Sequence, residues 1–457
     1  MSYSIQDINY IFHKYFSDSS GQVINKIVVD SRLVKKNDIF IALRGINKNG
    51  HDYVQSAFDN GASFVIVDHD LGDDRCIVVP DTVEAIKRIC KFARNRFKGK
   101  IIAVTGSVGK TTTKEWLSYL LSFYGKTEKT FDNYNGRINS LLTLINFNPN
   151  IDYGVIEVGM DNIGEIGEIA RSIRPDTSII TSVAPAHLKN LISIENIAKE
   201  KVNISVGSQE RAKIIVNSDI PFLDKIEQTL QDRNQYCIKY GNLPDNKYKF
   251  LDPDDFYSNV VNISIKDQKY SFTLPCFGYH HKYNILGILT LLNELDLDIS
   301  IALNHISELK VPTGRGNVYE KDGYFIIDET FNANPESTSK TLIYFTKMKN
   351  KNIKRKIAIL GDMMELRQST YYHQNLIFLL NGLDKVFAYG KSMKSLYDIL
   401  PSDLQGGYSE NNINEILKLL HPKEGDAYLI KGSHNISCTS LIEPNGEMYS
   451  IVEYLLQ

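Results

Sequence analysis

The 457-residue chain is 42% hydrophobic and 23% charged and carries a net charge of −2. That balance fits a globular protein of roughly two to four domains and offers no bulk electrostatic case for nucleic acid or a membrane surface. The five cysteines (Cys76, Cys90, Cys237, Cys276 and Cys438) are scattered without a CxxC pair. This argues against a disulfide framework or a zinc ribbon and favours a reducing compartment.

The N-terminal MSYSIQDINYIFHKYF is amphipathic and lacks the basic-then-apolar order of a signal peptide. No apolar run approaches the ~20 residues that span a bilayer. A cytoplasmic protein without stable membrane association is therefore expected, with a monomer as the default. Residues 1–97 alternate short strands (NKIVVDSR, DIFIALRG, FVIVD, CIVVP) with helices, and Lys98-Gly99-Lys100 marks a boundary. Residues 98–312 contain YGVIEVG, SIITSV, AKIIVN, a polar β-rich stretch near 245–275 and a helix starting near His281. Residues 313–457 repeat a strand–helix rhythm through FIIDET, KIAILG, KVFAYG and AYLIKG. Strands alternating with helices predict parallel sheets covered on both faces. The expected fold class is α/β in three domains: a small N-terminal α/β domain, a central P-loop parallel sheet and a Rossmann-like C-terminal domain.

IIAVTGSVGKTTTKEWL, residues 101–117, reads as strand, glycine turn and helix. Gly106, Ser107, Val108 and Gly109 allow a sharp backbone turn whose N–H groups face an anion. The helix N-terminus adds partial positive charge, Lys110 reaches the terminal phosphates, and Thr111, followed by Thr112, supplies a hydroxyl for Mg²⁺. Val104 stands where GxxxxGK[ST] would have its first glycine, so the turn is the shorter GxxGKT. A chance glycine turn is the bland alternative, and the flanking strand and helix argue against it.

Glu157 ends an apolar strand downstream of this loop, where P-loop enzymes hold Mg²⁺; without the loop it would read as a solvated rim residue. His187 follows the strand SIITSV and should share that rim, with a packing or surface role equally open. Lys201 in AKEKVN reads by itself as a surface helix lysine. Asn133 and Asn135 suit a phosphate-rich pocket, but a turn explains them as well. His280 and Asn284, four apart in GYHHKYN, share a helix face, whereas His280 and the adjacent His281 diverge and lack further zinc ligands. Arg315, between Gly314 and Gly316, suits a phosphate or carboxylate clamp. Asp328, the Asn332-Ala333-Asn334-Pro335 turn, LGDMMEL with His373 beyond it, and Lys431 follow strand ends, where doubly wound sheets place ligands.

Together these motifs resemble the Mur ligases of peptidoglycan assembly, over nearly the whole chain and in family order. TGSVGKTTTKE resembles the family's ATP loop. Asp30-Ser31-Arg32, with DIFIALRG and Gly50-His51-Asp52, resembles the segment that binds the UDP part of the substrate. FIIDETFNANPES is similar to the DDSYNANPxS signature of the D-Ala-D-Ala-adding members, and LGDMMEL to their LGDMxEL.

The resemblance implies that Lys110 and Thr111 engage ATP and Mg²⁺, and that Glu157 and His187 ligate metal. It further implies that Lys201 is carbamylated to ligate a second Mg²⁺, that His280 and Asn284 lie near adenine, and that Arg315 and Asp328 close over the nucleotide. Asp30, Ser31, Arg32, Asn133, Asn135, Asn332 and Asn334 would contact the substrates, UDP-N-acetylmuramoyl-tripeptide and D-alanyl-D-alanine. The expected activity is amide formation through an acyl phosphate. Departures from the family pattern are Gly136, Asn139, Leu141, Val202, Asn203, Glu329, Thr330, Phe331, His434 and Asn49. A sibling ligase adding the diamino acid stays open, although its DNPR segment is missing. So do a folate-polyglutamylating relative, a P-loop ATPase or switch, and a degenerate nucleotide-binding scaffold.

Overall fold

The computed structural model describes residues 2–13, 23–45, 48–132, 134–185, 191–252, 258–364, 366, 368–433 and 446–457. In the N-terminal part, Ile27–Val28, Ile39–Ile41, Phe64–Val67 and Cys76–Val78 pair in parallel in that order. Ile39, Phe40 and Ile41 are all buried, as continuous apolar runs are when both sheet faces are covered. The first strand is shorter than NKIVVDSR predicts because Asp30 caps a 3₁₀ turn at Ser31–Leu33 and ends the pairing. The helix Thr82–Arg96, capped by Asp81, carries Ile86, Ile89 and Cys90 into one core with Leu141, Leu144 and Ile145. Burying such aliphatic side chains stabilises by roughly 1.5–3 kcal/mol each, so the N-terminal and central parts share a continuous hydrophobic seam.

The central sheet has nine strands. From one edge they run Gln268–Thr273, Val260–Ile265, Tyr248–Phe250, Tyr236–Gly241, Lys213–Asn217, Thr177–Ile180, Lys100–Thr105, Tyr153–Glu157 and Thr127–Lys129. Lys100–Thr105 lies between Thr177–Ile180 and Tyr153–Glu157, in parallel register with both. The chain passes to one side of it first and to the other side afterwards, so a crevice opens at its C-terminal end. The C-terminal sheet runs Asn317–Lys321, Tyr324–Glu329, Asp426–Lys431, Arg355–Gly361, Lys385–Tyr389 and Gln405–Ser409.

Neither of these sheets is wholly parallel, contrary to the strand–helix expectation. Val260–Ile265 pairs antiparallel with Gln268–Thr273, and Asn317–Lys321 with Tyr324–Glu329. Each pair closes through two left-handed residues, Lys266 and Asp267 (φ 46° and 70°) or Asp322 and Gly323 (φ 46° and 78°). This is tight hairpin geometry that matches strand twist. Among the described residues, no helix is long and apolar enough to cross a membrane.

Candidate functional site

The helix Lys110–Leu121 starts at Gly109 (φ 86°), and no side chain caps it. Its first-turn amides thus lack intrahelical acceptors and stay available to an anion. The loop before it is held in shape, because the Ser107 and Val108 amides donate to the Ser182 carbonyl (3.1 Å) and hydroxyl (2.7 Å). Gly106 has no room for a side chain: a Cβ there would stand 1.9 Å from Thr181 Oγ1. Gly106→Ala should weaken nucleotide binding by about ten-fold or more, read by titrating a fluorescent ADP analogue; unchanged affinity would show that the loop is not the phosphate cradle.

Lys110 Nζ donates to the Gly106 carbonyl at 2.8 Å. Burial holds its amine below the ordinary lysine range, with Glu157 opposing the shift and Arg315 adding to it. Next to the loop, Glu157 Oε1 accepts from Thr111 Oγ1 (3.0 Å) and Asn135 Nδ2 (2.7 Å). Its Oε2 is buried without a hydrogen-bond partner. Thr111 Oγ1 also accepts from Arg315 Nη2 at 3.0 Å, and the Arg315 guanidinium stacks over Phe331 at 3.6 Å. The C-terminal part thereby reaches onto the phosphate loop itself.

Lys201 lies on the helix Ile194–Val202, which is capped by Ser193, and is 2% exposed. Among the described residues its amine has no hydrogen bond or ion pair. Burial, and secondarily the nearby Lys110, hold it well below the ordinary lysine range, with Glu200 pulling the other way. Glu200 is committed to the Ile166 amide (2.9 Å), and Asn203 links Glu200 to Arg233.

One cleft of about 360 Å³ is lined by Gly106, Lys110, Thr111, Asn135, Glu157 and Lys201 from the central part. Ser107, Val108 and Thr112 also line it, as do His280, Arg315, Asn332 and Asn334. An adjoining cavity is lined by Gly109, His280 and Asn284, and Lys340 and Thr341 cover it from the C-terminal part. Burial and the charge of Lys431 push His280 down to about 3, so its imidazole is neutral. His281 turns away to pack on Trp116 and to donate from Nε2 to the Arg315 carbonyl (2.9 Å). The two histidines do not diverge as their adjacent positions on the helix predict, because their rings lie 4.0 Å apart, tilted by 43°, and only their outer edges meet different partners.

Other candidates do not line the cleft. Asp328 is fully buried and accepts from the Gly314 amide (3.1 Å) and the Thr330 hydroxyl (2.6 Å). It braces the turn that carries Arg315, and burial raises its carboxyl above the usual range. Asn334 does line the cleft, but its side-chain carbonyl caps the helix Pro335–Lys347. Asp30 and Arg32 fork onto each other on their 3₁₀ turn, with Ser31 buried between them. Asp362 accepts from the Met393 and Ser392 amides, and His373 Nε2 from the Met363 amide, so both support backbone. Asn133, His187 and His434 lie outside the described residues.

Among the described residues, the one His/Cys/Asp/Glu group with metal-ligand spacing is His51, Asp68 and His69. Asp68 is already forked by Arg44 (2.6 and 2.9 Å), and His51 is spent on Asn49 Oδ1 and the Asp68 amide. That group is a brace for its turn. Lys431, expected at a strand end, lines the cleft and pairs there with Glu329 at 3.3 Å. Lys114, buried beside Glu157, has no counterpart in the sequence expectations. Lys114 falls one helical turn after Lys110, and that i,i+4 spacing was the signal available.

The uncapped helix, the buried glutamate with a free oxygen and the crowded glycine fit a nucleotide phosphate chain with a divalent cation. The site is thus that of a P-loop enzyme whose nucleotide cleft is covered by a second α/β domain. Family models agree with this architecture. Residues 23–95 match "Mur ligase family, catalytic domain", residues 104–292 "Mur ligase middle domain" and residues 314–434 "Mur ligase, glutamate ligase domain". The UDP-N-acetylmuramoyl-tripeptide–D-alanyl-D-alanine ligase of Rickettsia prowazekii is 30% identical, covering 92% of this chain and 94% of that one. The crystal structure of MurF from Acinetobacter baumannii superposes with a TM-score of 0.87 at 22% identity, covering 100% of this chain and 99% of that one. MurF ligase from Thermotoga maritima, solved in complex with ADP, gives 0.82 at 25% identity, covering 94% and 96%. The chain belongs to the Mur ligase family.

Proposed function

We propose that this chain joins D-alanyl-D-alanine to UDP-N-acetylmuramoyl-tripeptide, converting ATP to ADP and phosphate, as a cytoplasmic step of peptidoglycan precursor synthesis. The observation that carries this reading is one cleft in which the phosphate loop faces the Asn332–Asn334 segment, in a chain that matches a relative of that name over nearly its full length. The domain limits 1–97, 98–312 and 313–457 fit a division into UDP-substrate, ATP and closing domains.

Amide formation in water requires an activated acyl group, and among the described residues the cleft lining contains no cysteine and no serine hydrogen-bonded to a histidine. The tripeptide's terminal carboxylate attacks the γ-phosphorus of ATP, forming an acyl phosphate as ADP leaves. The D-alanyl-D-alanine amine then attacks the carbonyl and phosphate departs. Lys110, the first-turn amides and Arg315 stabilise charge on the transferring phosphoryl group. Thr111 and Glu157 Oε2 would hold Mg²⁺, with His187 as a further ligand. The ion would supply Lewis-acid polarisation of the phosphoryl oxygens. Lys201, with its amine held toward the neutral form, is suited to add to CO₂ with loss of a proton. The resulting carbamate offers carboxylate-like oxygens for a second Mg²⁺. His280, Asn284 and Gly109 would contact the adenosine end, and Asn135 positions Glu157. Arg315 stacked on Phe331 draws the C-terminal part over the cleft and excludes water that would hydrolyse the acyl phosphate.

The test is phosphate release in a coupled assay. Release should require the UDP-tripeptide and D-alanyl-D-alanine together, and steady release with ATP alone would replace the ligase with an ATPase.

A further inference from the structure

Lys114 is a lysine with no exposed surface, one turn into the helix that follows the phosphate loop. Burying an ammonium is costly unless it is paired and hydrogen-bonded, so its surroundings should show what it is for. Its Nζ donates to the Thr130 carbonyl at 3.0 Å and to the Asp132 carbonyl, and pairs with Glu115 Oε1 at 2.9 Å. These partners use all three of its N–H donors. Glu157 Oε2 lies 3.7 Å away, close enough for charge attraction but outside hydrogen-bond distance. Glu157 is itself without exposed surface, and Oε2 has no other partner.

The same ammonium shapes the backbone around that glutamate. Thr130, whose carbonyl Lys114 holds, accepts through its Oγ1 from the Glu157 amide at 3.0 Å. Asp132, the other carbonyl partner, sits in the left-handed region (φ 45°) and leads to Asn135, which donates to Glu157 Oε1. Lys114 therefore holds Thr130 and Asp132 and is itself the counter-charge facing Glu157, without occupying Oε2.

We propose that Lys114 is a positioning residue for the divalent-cation site. It compensates the buried charge of Glu157 and pins Thr130 and Asp132, the former bonded to the Glu157 amide, leaving the Oε2 lone pairs free to ligate the cation. This inference rests on the proposed function, in which Glu157 holds Mg²⁺. Outer-shell groups of this kind typically change metal affinity or activity by about 10–100-fold when removed.

The experiment compares wild type with Lys114→Met, which keeps the length of the side chain and removes its charge. Mn²⁺ binding to the ADP-bound protein is followed by electron paramagnetic resonance, alongside the Mg²⁺ dependence of turnover. The variant should bind Mn²⁺ at least about ten-fold more weakly and need correspondingly more Mg²⁺. Its affinity for ADP in the presence of EDTA should stay within about three-fold. A folded variant with wild-type Mn²⁺ affinity and Mg²⁺ dependence would overturn the proposal. Wild type that makes no product from both substrates would instead overturn the ligase reading. If Lys114→Met alone does not fold, the double variant Lys114→Met/Glu157→Gln, which removes both charges of this buried pair, should recover a cooperative melting transition. Failure of the double variant to do so would also count against Lys114 as the partner of Glu157.

Discussion

Lys110→Ala is expected to lower turnover by about 10³-fold or more while leaving the melting temperature nearly unchanged. Charge accumulates on the transferring phosphoryl group in the transition state, and a preorganised ammonium in a water-poor cleft acts on it more strongly than in water. A loss of that size corresponds to roughly 4 kcal/mol of transition-state stabilisation. The loop keeps its main supports without this side chain. Ser182 fixes the Ser107 and Val108 amides, and Lys110 Nζ contributes bonds to the Gly106 and Ser107 carbonyls. Single-turnover phosphate release separates the outcomes, because the phosphoryl-transfer rate should fall more than ADP affinity does. Near-normal turnover would remove Lys110 from the mechanism and with it the reading of the loop.

The second large effect concerns Lys201, and it has opposite signs for activity and stability. Lys201→Ala should cost about 10²-fold or more in turnover, a loss of the order seen when one electrostatic contributor is removed. If a carbamate is the working form, added formate or acetate should restore part of the rate by supplying the missing carboxylate oxygens. Absence of rescue at any concentration would argue for a plain amine. Stability follows from burial, which holds the amine well below the ordinary lysine range. The unfolded chain binds that proton more tightly than the folded one. The resulting cost is fully present below the folded-state value and is relieved as pH rises toward the unfolded value. In CO₂-depleted buffer, Lys201→Met should therefore melt higher than wild type near neutral pH, with the gain shrinking as pH approaches 10. A variant that melts lower at pH 7 would show that the amine has a compensating partner.

Much of the architecture was legible because it rests on local pattern. Apolar runs such as IIAVT and SIITSV mark buried strands, since a parallel strand covered on both faces has no polar side to interrupt the run. The hairpins at Lys266-Asp267 and Asp322-Gly323 were missed, although Asp-Gly is a turn signal that pattern reading can use. Asp328 shows a different limit. Its place at the end of an apolar strand suits a nucleotide contact or a backbone brace equally well, and the Gly314 and Thr330 partners that decide between them are distant in sequence or unmarked.

From its sequence alone the protein declares a phosphate loop, three α/β units and membership of a ligase family, because glycine spacing, strand hydrophobicity and the DETFNANP segment are local properties of the chain. Only the folded molecule assigns the work inside the cleft. Arg315 lies 204 residues from Thr111 yet donates to its hydroxyl, and Asn135 reaches Glu157 across 22. Lys201 reads as an ordinary surface helix lysine, and only packing buries it, with no hydrogen bond or ion pair among the described residues, and sets the unmarked Lys114 against a glutamate. The physical reason is that charge, desolvation and hydrogen bonding act over a few ångströms of space, whereas sequence patterns report neighbours along the chain.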